Sequence, residues 1–233
     1  MDFVVILVAA QGHTFGAAEL ARMMKLLERS RILVKKDPEW LSPKHAAEIH
    51  IEEYPTPEQI RAMRAHFSDS KIDVLFTPAQ NRRKKMLVAD MDSTIIANET
   101  LDELAALTPH GDKVEEITNA SMAGEIEFEQ ALRERVALLK DLPVAKIESV
   151  IKNIKVNPGA KTLIQTMKKF GVHCVLVTGG FTQMSETVAE TVGFDSHHAN
   201  VLGINGGILN GTVEEPILGR AMKRTHLITH REE

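Results

Sequence analysis

From Phe3 to Ala9 the chain is almost continuously apolar, and from Ala17 to Glu28 apolar side chains return every three or four positions. Those two periods predict a strand and then an amphipathic helix. The same reading gives strands at Arg31 to Val34 and Ala47 to Ile51, a helix over Pro57 to Phe67 and a strand at Ile72 to Phe76. Thr56, Pro57 and Glu58 supply the second helix with a capping hydroxyl, a first-turn proline and an early acid. From Thr77 to Lys85 the pattern breaks into Pro78, Gln80, Asn81 and the basic run Arg82, Arg83, Lys84 and Lys85, which marks a linker. Beyond it Met86 to Ala89 is wholly apolar, as a strand covered on both faces of a parallel sheet would be. That strand delivers Asp90 at its carboxyl end.

Four short helical periods follow, at about Glu99 to Leu107, Asp112 to Met122, Phe128 to Leu139 and Val144 to Ile154, punctuated by Gly124 and Pro143. They predict a small helical insert. Gly159 to Phe170 then reads as a helix, Val172 to Val177 as a second buried strand ending in Thr178-Gly179-Gly180, and Thr182 to Val192 as another helix. This is βαβ logic, in which ligands bind beyond the carboxyl ends of the strands. After Val201 and Leu202, the turn signals Asn205-Gly206 and Asn210-Gly211 predict a hairpin or flap. The organisation is therefore two domains, residues 1–80 and 81–233, with the helical insert at about 98–155.

Composition narrows the function classes. With 233 residues, 43% hydrophobic and 26% charged, the chain can bury two modest cores. A formal net charge of -4 gives no electrostatic reason for nucleic acid or an anionic membrane as partner, so small molecules are the expected ligands. The basic run at Arg82 lacks interleaved aromatic residues and reads as a solvated lead-in to a strand. Phe3 to Ala10 follows Asp2 and is far too short to span a bilayer, so no export signal is read. The single cysteine, Cys174, has apolar neighbours and fits a buried strand in a reducing cytoplasm.

The strongest chemical signal is Asp90-Met91-Asp92-Ser93-Thr94 directly after a buried strand. One carboxylate there can attack phosphorus and form an acyl phosphate. The other can protonate the leaving alkoxide and then deprotonate the attacking water. A hard cation with oxygen ligands would neutralise the developing charge. Alone, two aspartates at a strand end also fit a turn or a helix cap. Thr178-Gly179-Gly180 offers a hydroxyl and an unobstructed backbone N–H to phosphate oxygens, although alone it also fits a strand-to-helix turn. The coincidence of the two on successive parallel strands is what points to phosphoryl chemistry.

The stretch from Asp90-Met91-Asp92-Ser93-Thr94 through Asn98-Glu99-Thr100-Leu101-Asp102-Glu103 resembles the opening motif of phosphoserine phosphatases in the haloacid dehalogenase superfamily. Ser121-Met122-Ala123-Gly124 through Phe128 to Val136 is similar to that family's helical cap, and Val177-Thr178-Gly179-Gly180-Phe181 to its second motif. The resemblance covers about residues 81–223. It implies an α/β fold, a parallel Rossmann-like sheet with a helical cap, and hydrolysis of O-phospho-L-serine to serine and phosphate with Mg2+. It implies Asp90 as nucleophile and metal ligand, and Asp92 as general acid/base that also lends its backbone carbonyl to the metal. Thr178, Gly179, Gly180 and Lys223 would hold the phosphate, Glu99 the substrate ammonium and Arg135 its carboxylate, with Met122 and Phe128 closing the cap. A guanidinium fork suits a carboxylate. Without the resemblance, Glu99 also reads as a first-turn helix acid and Arg135 as a surface arginine.

The β-α-β-β-α-β order before the linker is that of the split βαβ, ferredoxin-like unit and resembles amino-acid-sensing, ACT-like domains. A structural or dimerising module fits the pattern equally, so a homodimer stays open. After Lys223 the resemblance calls for a helix, a buried strand and a loop of type G-D-G-x-N-D, whereas the chain reads Arg224 to Glu233. The expectation is an incomplete catalytic domain with Met86 to Ala89 as an uncovered edge. Turnover is expected to fall far below that of a complete enzyme, on the order of 1 to 1000 per second. A noncatalytic amino-acid-binding regulator and a truncated product without function are the alternatives. His226 and His230, four residues apart, read as a polar terminus, because imidazole substitutes poorly for oxygen ligands to magnesium. His197-His198 reads as a solvent-facing turn.

Overall fold

The computed structural model describes residues 2–219, 224, 225 and 228, and the chain separates into two compact units, Met1–Lys84 and Lys85–Glu233. The first unit runs β1 (Phe3–Ala9), α1 (Ala17–Arg29), β2 (Glu39–Ser42), β3 (Ala46–Ile51), α2 (Pro57–Ala65) and β4 (Ile72–Pro78). Its sheet has the order β2-β3-β1-β4 with every pairing antiparallel. Val5, Leu7, Ile49, Ile51 and Val74 alternate onto one face and share a core with Met23, Leu27, Met63 and Phe67. The cap of α2 is reciprocal: Gln59 N–H donates to Thr56 Oγ1 at 3.2 Å, and Thr56 N–H donates to Gln59 Oε1 at 2.8 Å.

One strand is not where its residues suggested. Arg31 takes a left-handed φ of 58° just after α1, and of Arg31 to Val34 only Val34 bridges to Ile51. The second strand is instead Glu39–Ser42, all of it exposed, with Trp40 leaning on Phe15 at 5.0 Å between ring centroids. An edge strand held by backbone hydrogen bonds to β3 needs no apolar alternation, so nothing in its residues announced it.

The second unit opens with β5 (Met86–Ala89). Helices α3 (Thr100–Ala105), α4 (Gly111–Met122), α5 (Phe128–Ala137) and α6 (Ala145–Lys152) form the insert, and α7 (Ala160–Lys169) leads into β6 (His173–Phe181). Next come α8 (Thr182–Val192), β7 (Ser196–Asn200) and a hairpin of β8 (Leu202–Asn205) and β9 (Ile208–Val213). Strands β5, β6 and β7 make a parallel sheet in that order, so among the described residues β5 is an edge, its four residues half-buried. Leu87 and Ala89 pack on the main core with Leu104, Leu132, Ile164, Leu176 and Met184, whereas Val88 meets Val175, Val177 and Leu218. Cys174 is fully buried in β6. Among the described residues no helix is long and apolar enough to cross a membrane.

Three local readings are corrected here. Strand β6 does not end at Val177 but continues through Thr178-Gly179-Gly180 to Phe181, with its pairing to β7 irregular over that stretch. His197 and His198 lie within β7, paired beside Leu176 and Val177, and His197 Nδ1 sits 2.9 Å from Ser185 Oγ. Asn205-Gly206 is a turn, with Gly206 and Gly207 both at positive φ, but Asn210-Gly211 falls inside β9. There Asn210 Oδ1 accepts from Thr212 N–H at 2.9 Å.

Candidate active site

Strand β5 pairs Ala89 with Leu176 of β6, so Asp90 leaves the sheet level with Val177, immediately before Thr178-Gly179-Gly180 of its neighbour. Asp90 is extended (φ -78°, ψ 160°) and its carboxylate accepts the Met91 N–H at 3.0 Å. The chain then folds back sharply through Asp92 (φ -63°, ψ 141°) and Ser93, whose left-handed φ of 49° is uncommon for a residue with a Cβ. That reversal aims the Asp92 side chain inward. Asp92 Oδ1 accepts the N–H of Thr100, at the start of α3, at 3.0 Å, which satisfies one of the helix's first unpaired donors. Its Oδ2 lies 3.5 Å from the Thr178 hydroxyl.

Burial raises the Asp92 pKa from the ordinary carboxylate range to about 6, the Thr100 hydrogen bond opposes it, and the negative charges of Glu99 and Asp90 add to the rise. A carboxyl with that proton affinity can give and take a proton near neutrality, as a general acid/base must.

Across from it, Gly180 N–H donates to Thr178 Oγ1 at 2.9 Å, so the hydroxyl proton is left to face Asp92. Gly180 has no room for a side chain: a Cβ there would lie 2.9 Å from Asp92 Oδ2 and 3.1 Å from Met91 Cε. A Cβ on Gly179 would lie 2.8 Å from Phe128 Cζ, because the Phe128 ring reaches from the start of α5 over that backbone. Asp90, Asp92, Thr178, Gly179, Gly180 and Phe128 therefore converge at the carboxyl ends of β5 and β6.

On the insert, Glu99 stands exposed at the head of α3 and its carboxylate accepts the Ser93 hydroxyl. Arg135 is half-buried on α5, and burial lowers its pKa while Asp102 and Glu99 act to raise it. A cleft of about 490 Å³ has Glu99, Asp102 and Lys155 in its walls. Met122 stands out in solvent at 83% exposure. Lys223, His226 and His230 lie outside the described residues. Among the described residues, the group of three acidic or histidine side chains close enough to share a cation is Glu39, Glu48 and His50, in the first unit. There Glu48 already takes a hydrogen bond from His50 at 2.9 Å and an ion pair from Arg82 at 2.7 Å.

Sequence reasoning missed Asn200. Only 3% exposed, it donates through Nδ2 to the Gly179 carbonyl at 2.9 Å and accepts the Leu218 N–H on Oδ1 at 2.7 Å. It thereby orients the glycine peptide of the cradle. The residue sits 21 positions beyond Gly179 with no local pattern, so no sequence signal could have found it. Asn200→Ala would strand a buried carbonyl and a buried N–H, and is expected to cost about 2–4 kcal/mol in urea unfolding.

Residues 87–233 match the family described as haloacid dehalogenase-like hydrolase. The chain is 39% identical over 154 residues to a phosphoserine phosphatase of Archaeoglobus fulgidus, covering 65% of this chain and 45% of that one. It is 41% identical over 137 residues to a phosphoserine phosphatase of Methanocaldococcus jannaschii, covering 59% of this chain and 65% of that one. The chain thus spans roughly half the length of the curated relatives it matches. Among solved structures, a probable phosphoserine phosphatase from Vibrio cholerae superposes with a TM-score of 0.76 at 28% identity, over 99% of this chain and 68% of that one. A phospho-aspartyl intermediate analogue of phosphoserine phosphatase superposes with a TM-score of 0.61 at 38% identity, over 65% of this chain and 72% of that one.

Proposed function

This chain belongs to the haloacid dehalogenase-like hydrolases, and on that premise we propose that it hydrolyses O-phospho-L-serine to L-serine and phosphate. The observation that carries the reading is Asp92, with one carboxylate oxygen beside the Thr178 hydroxyl and a proton affinity near neutrality, two residues beyond an aspartate at a strand end. Asp90 attacks phosphorus, the bond from phosphorus to the seryl oxygen breaks, and Asp92 protonates that oxygen as it leaves. Asp92 then takes a proton from the water that hydrolyses the aspartyl phosphate, which releases phosphate and restores Asp90. Thr178, the Gly179 N–H and Lys223 hold the phosphoryl oxygens, with the Gly180 N–H fixing the Thr178 hydroxyl. Glu99 receives the substrate ammonium and Arg135 its carboxylate, while Phe128 covers the cradle.

The donor set offered by Asp90 and the Asp92 backbone carbonyl is all oxygen and suits Mg2+, which when bound supplies charge neutralisation at the phosphoryl group. The first unit reads as ferredoxin-like and ACT-like, supported by its β2-β3-β1-β4 antiparallel order. A buried lone cysteine fits a cytoplasmic setting.

The test is phosphate release from O-phospho-L-serine with Mg2+, set beside O-phosphoethanolamine, which keeps the amine and lacks the carboxylate. Release with a clear preference for O-phospho-L-serine is expected. Neither binding nor hydrolysis of O-phospho-L-serine, or equal use of both compounds, would overturn the assignment.

A further inference from the structure

We infer that Thr118 is a positioning residue that keeps the Arg135 guanidinium available to a ligand carboxylate; this rests on the phosphoserine reading above. Thr118 lies on α4, and its hydroxyl oxygen accepts a hydrogen bond from Arg135 Nη1 at 3.2 Å. That oxygen is also 3.0 Å from the Val114 carbonyl and 3.2 Å from Asp102 Oδ1. A hydroxyl has one proton, which goes to one of those two acceptors, and in either case a lone pair remains for Arg135. Arg135 Nε is spent on the Ala131 carbonyl at 3.2 Å, so the side chain is tethered at two points on two helices.

The neighbouring arginine shows what the tether prevents. Arg133 gives Nε and Nη2 to Glu215 Oε1 at 2.9 and 2.7 Å, which occupies its fork. Arg135 feels the negative charge of Asp102 first and of Glu99 second. Yet among the described residues neither acid forms an ion pair with it, since the Thr118 hydroxyl stands between the guanidinium and Asp102. A direct Arg135–Asp102 pair would be bidentate and strong, and a substrate carboxylate would have to displace it. Thr118 therefore holds the arginine within the field of Asp102 while leaving its outer N–H groups open. Selectivity for a carboxylate-bearing phosphate ester depends on that spacing.

The experiment is calorimetric binding of O-phospho-L-serine and O-phosphoethanolamine to the full chain in EDTA, for the parent, Thr118→Val, Thr118→Ser and Arg135→Ala. Thr118→Val keeps the shape and removes the hydroxyl; it is expected to weaken O-phospho-L-serine about tenfold, the worth of one hydrogen bond to a charged group. O-phosphoethanolamine should bind unchanged, and Thr118→Ser should stay close to the parent. Thr118→Ala is the second variant should Thr118→Val fail to fold. If Arg135→Ala erases the preference between the two ligands and neither Thr118→Val nor Thr118→Ala alters it, the role of Thr118 is refuted. Equal weakening of both ligands in those variants refutes it as well. If Arg135→Ala leaves the preference intact, or the parent neither binds O-phospho-L-serine nor hydrolyses it with Mg2+, the phosphoserine reading fails and takes this inference with it.

Discussion

Asp90→Asn is expected to abolish phosphoryl transfer from O-phospho-L-serine, with covalent labelling reduced by at least about 1000-fold. Asparagine keeps the volume of the side chain, and its Oδ1 can still accept the Met91 N–H that the carboxylate holds at 3.0 Å. The turn that follows is therefore preserved, and what disappears is the negative charge and the nucleophilic oxygen pair. Acid quenching after exposure to radiolabelled O-phospho-L-serine, followed by peptide mapping, reads this directly. Label should appear on the Asp90 peptide of the parent and vanish in the variant, because an acyl phosphate survives acid. Label that persists in Asp90→Asn, or that maps to another residue, would refute the nucleophile assignment.

Asp92→Asn is expected to separate activity from stability. Removing the group that moves the proton should lower turnover by about 100- to 10,000-fold. The amide fits the site, because its oxygen can still accept the Thr100 N–H and its nitrogen can donate toward Thr178 Oγ1. Stability should respond in the opposite direction. The folded Asp92 pKa of about 6 lies above the ordinary value of 3.8, so the folded state holds this proton more tightly than the unfolded chain. The associated stabilisation is complete below about pH 4 and is lost as pH rises through about 6. Above that, ionised Asp92 burdens the fold by on the order of 3 kcal/mol. In EDTA the variant should accordingly be more stable than the parent at pH 8, with the advantage shrinking toward pH 4. Urea unfolding at both pH values tests this, and a variant less stable than the parent at both would contradict it.

The same residue accounts for the glycine at position 180. Asp92 Oδ2 fills the volume that a Cβ on Gly180 would need, so the acid/base and the cradle are packed against each other. Phe128 applies the same constraint to Gly179 from above. A substitution at either glycine would move the neighbouring group, which makes the tripeptide part of the geometry of proton transfer as well as a source of N–H donors.

Where structure depends on neighbours in the chain, the residues alone were sufficient. Strand β1 over Phe3–Ala9, the strand Met86–Ala89 and the helix Thr182–Val192 are written in apolar runs and a helical period, and Thr56 with Gln59 caps its own helix. Asp90, Asp92 and Thr178-Gly179-Gly180 were legible for a related reason: strand ends deliver their chemistry within a few residues of an apolar run. The rest came from parts of the chain that meet only on folding. Strand β2 is made by pairing with β3, and β7, with its two histidines, by pairing with β6, because backbone hydrogen bonds take no account of side-chain polarity. Asn200 orients Gly179 from 21 residues away, and Thr118 steadies Arg135 from 17. The raised pKa of Asp92 likewise arises from burial, a desolvation that exists only in the folded chain, which brings Thr178 from 86 positions away to its side.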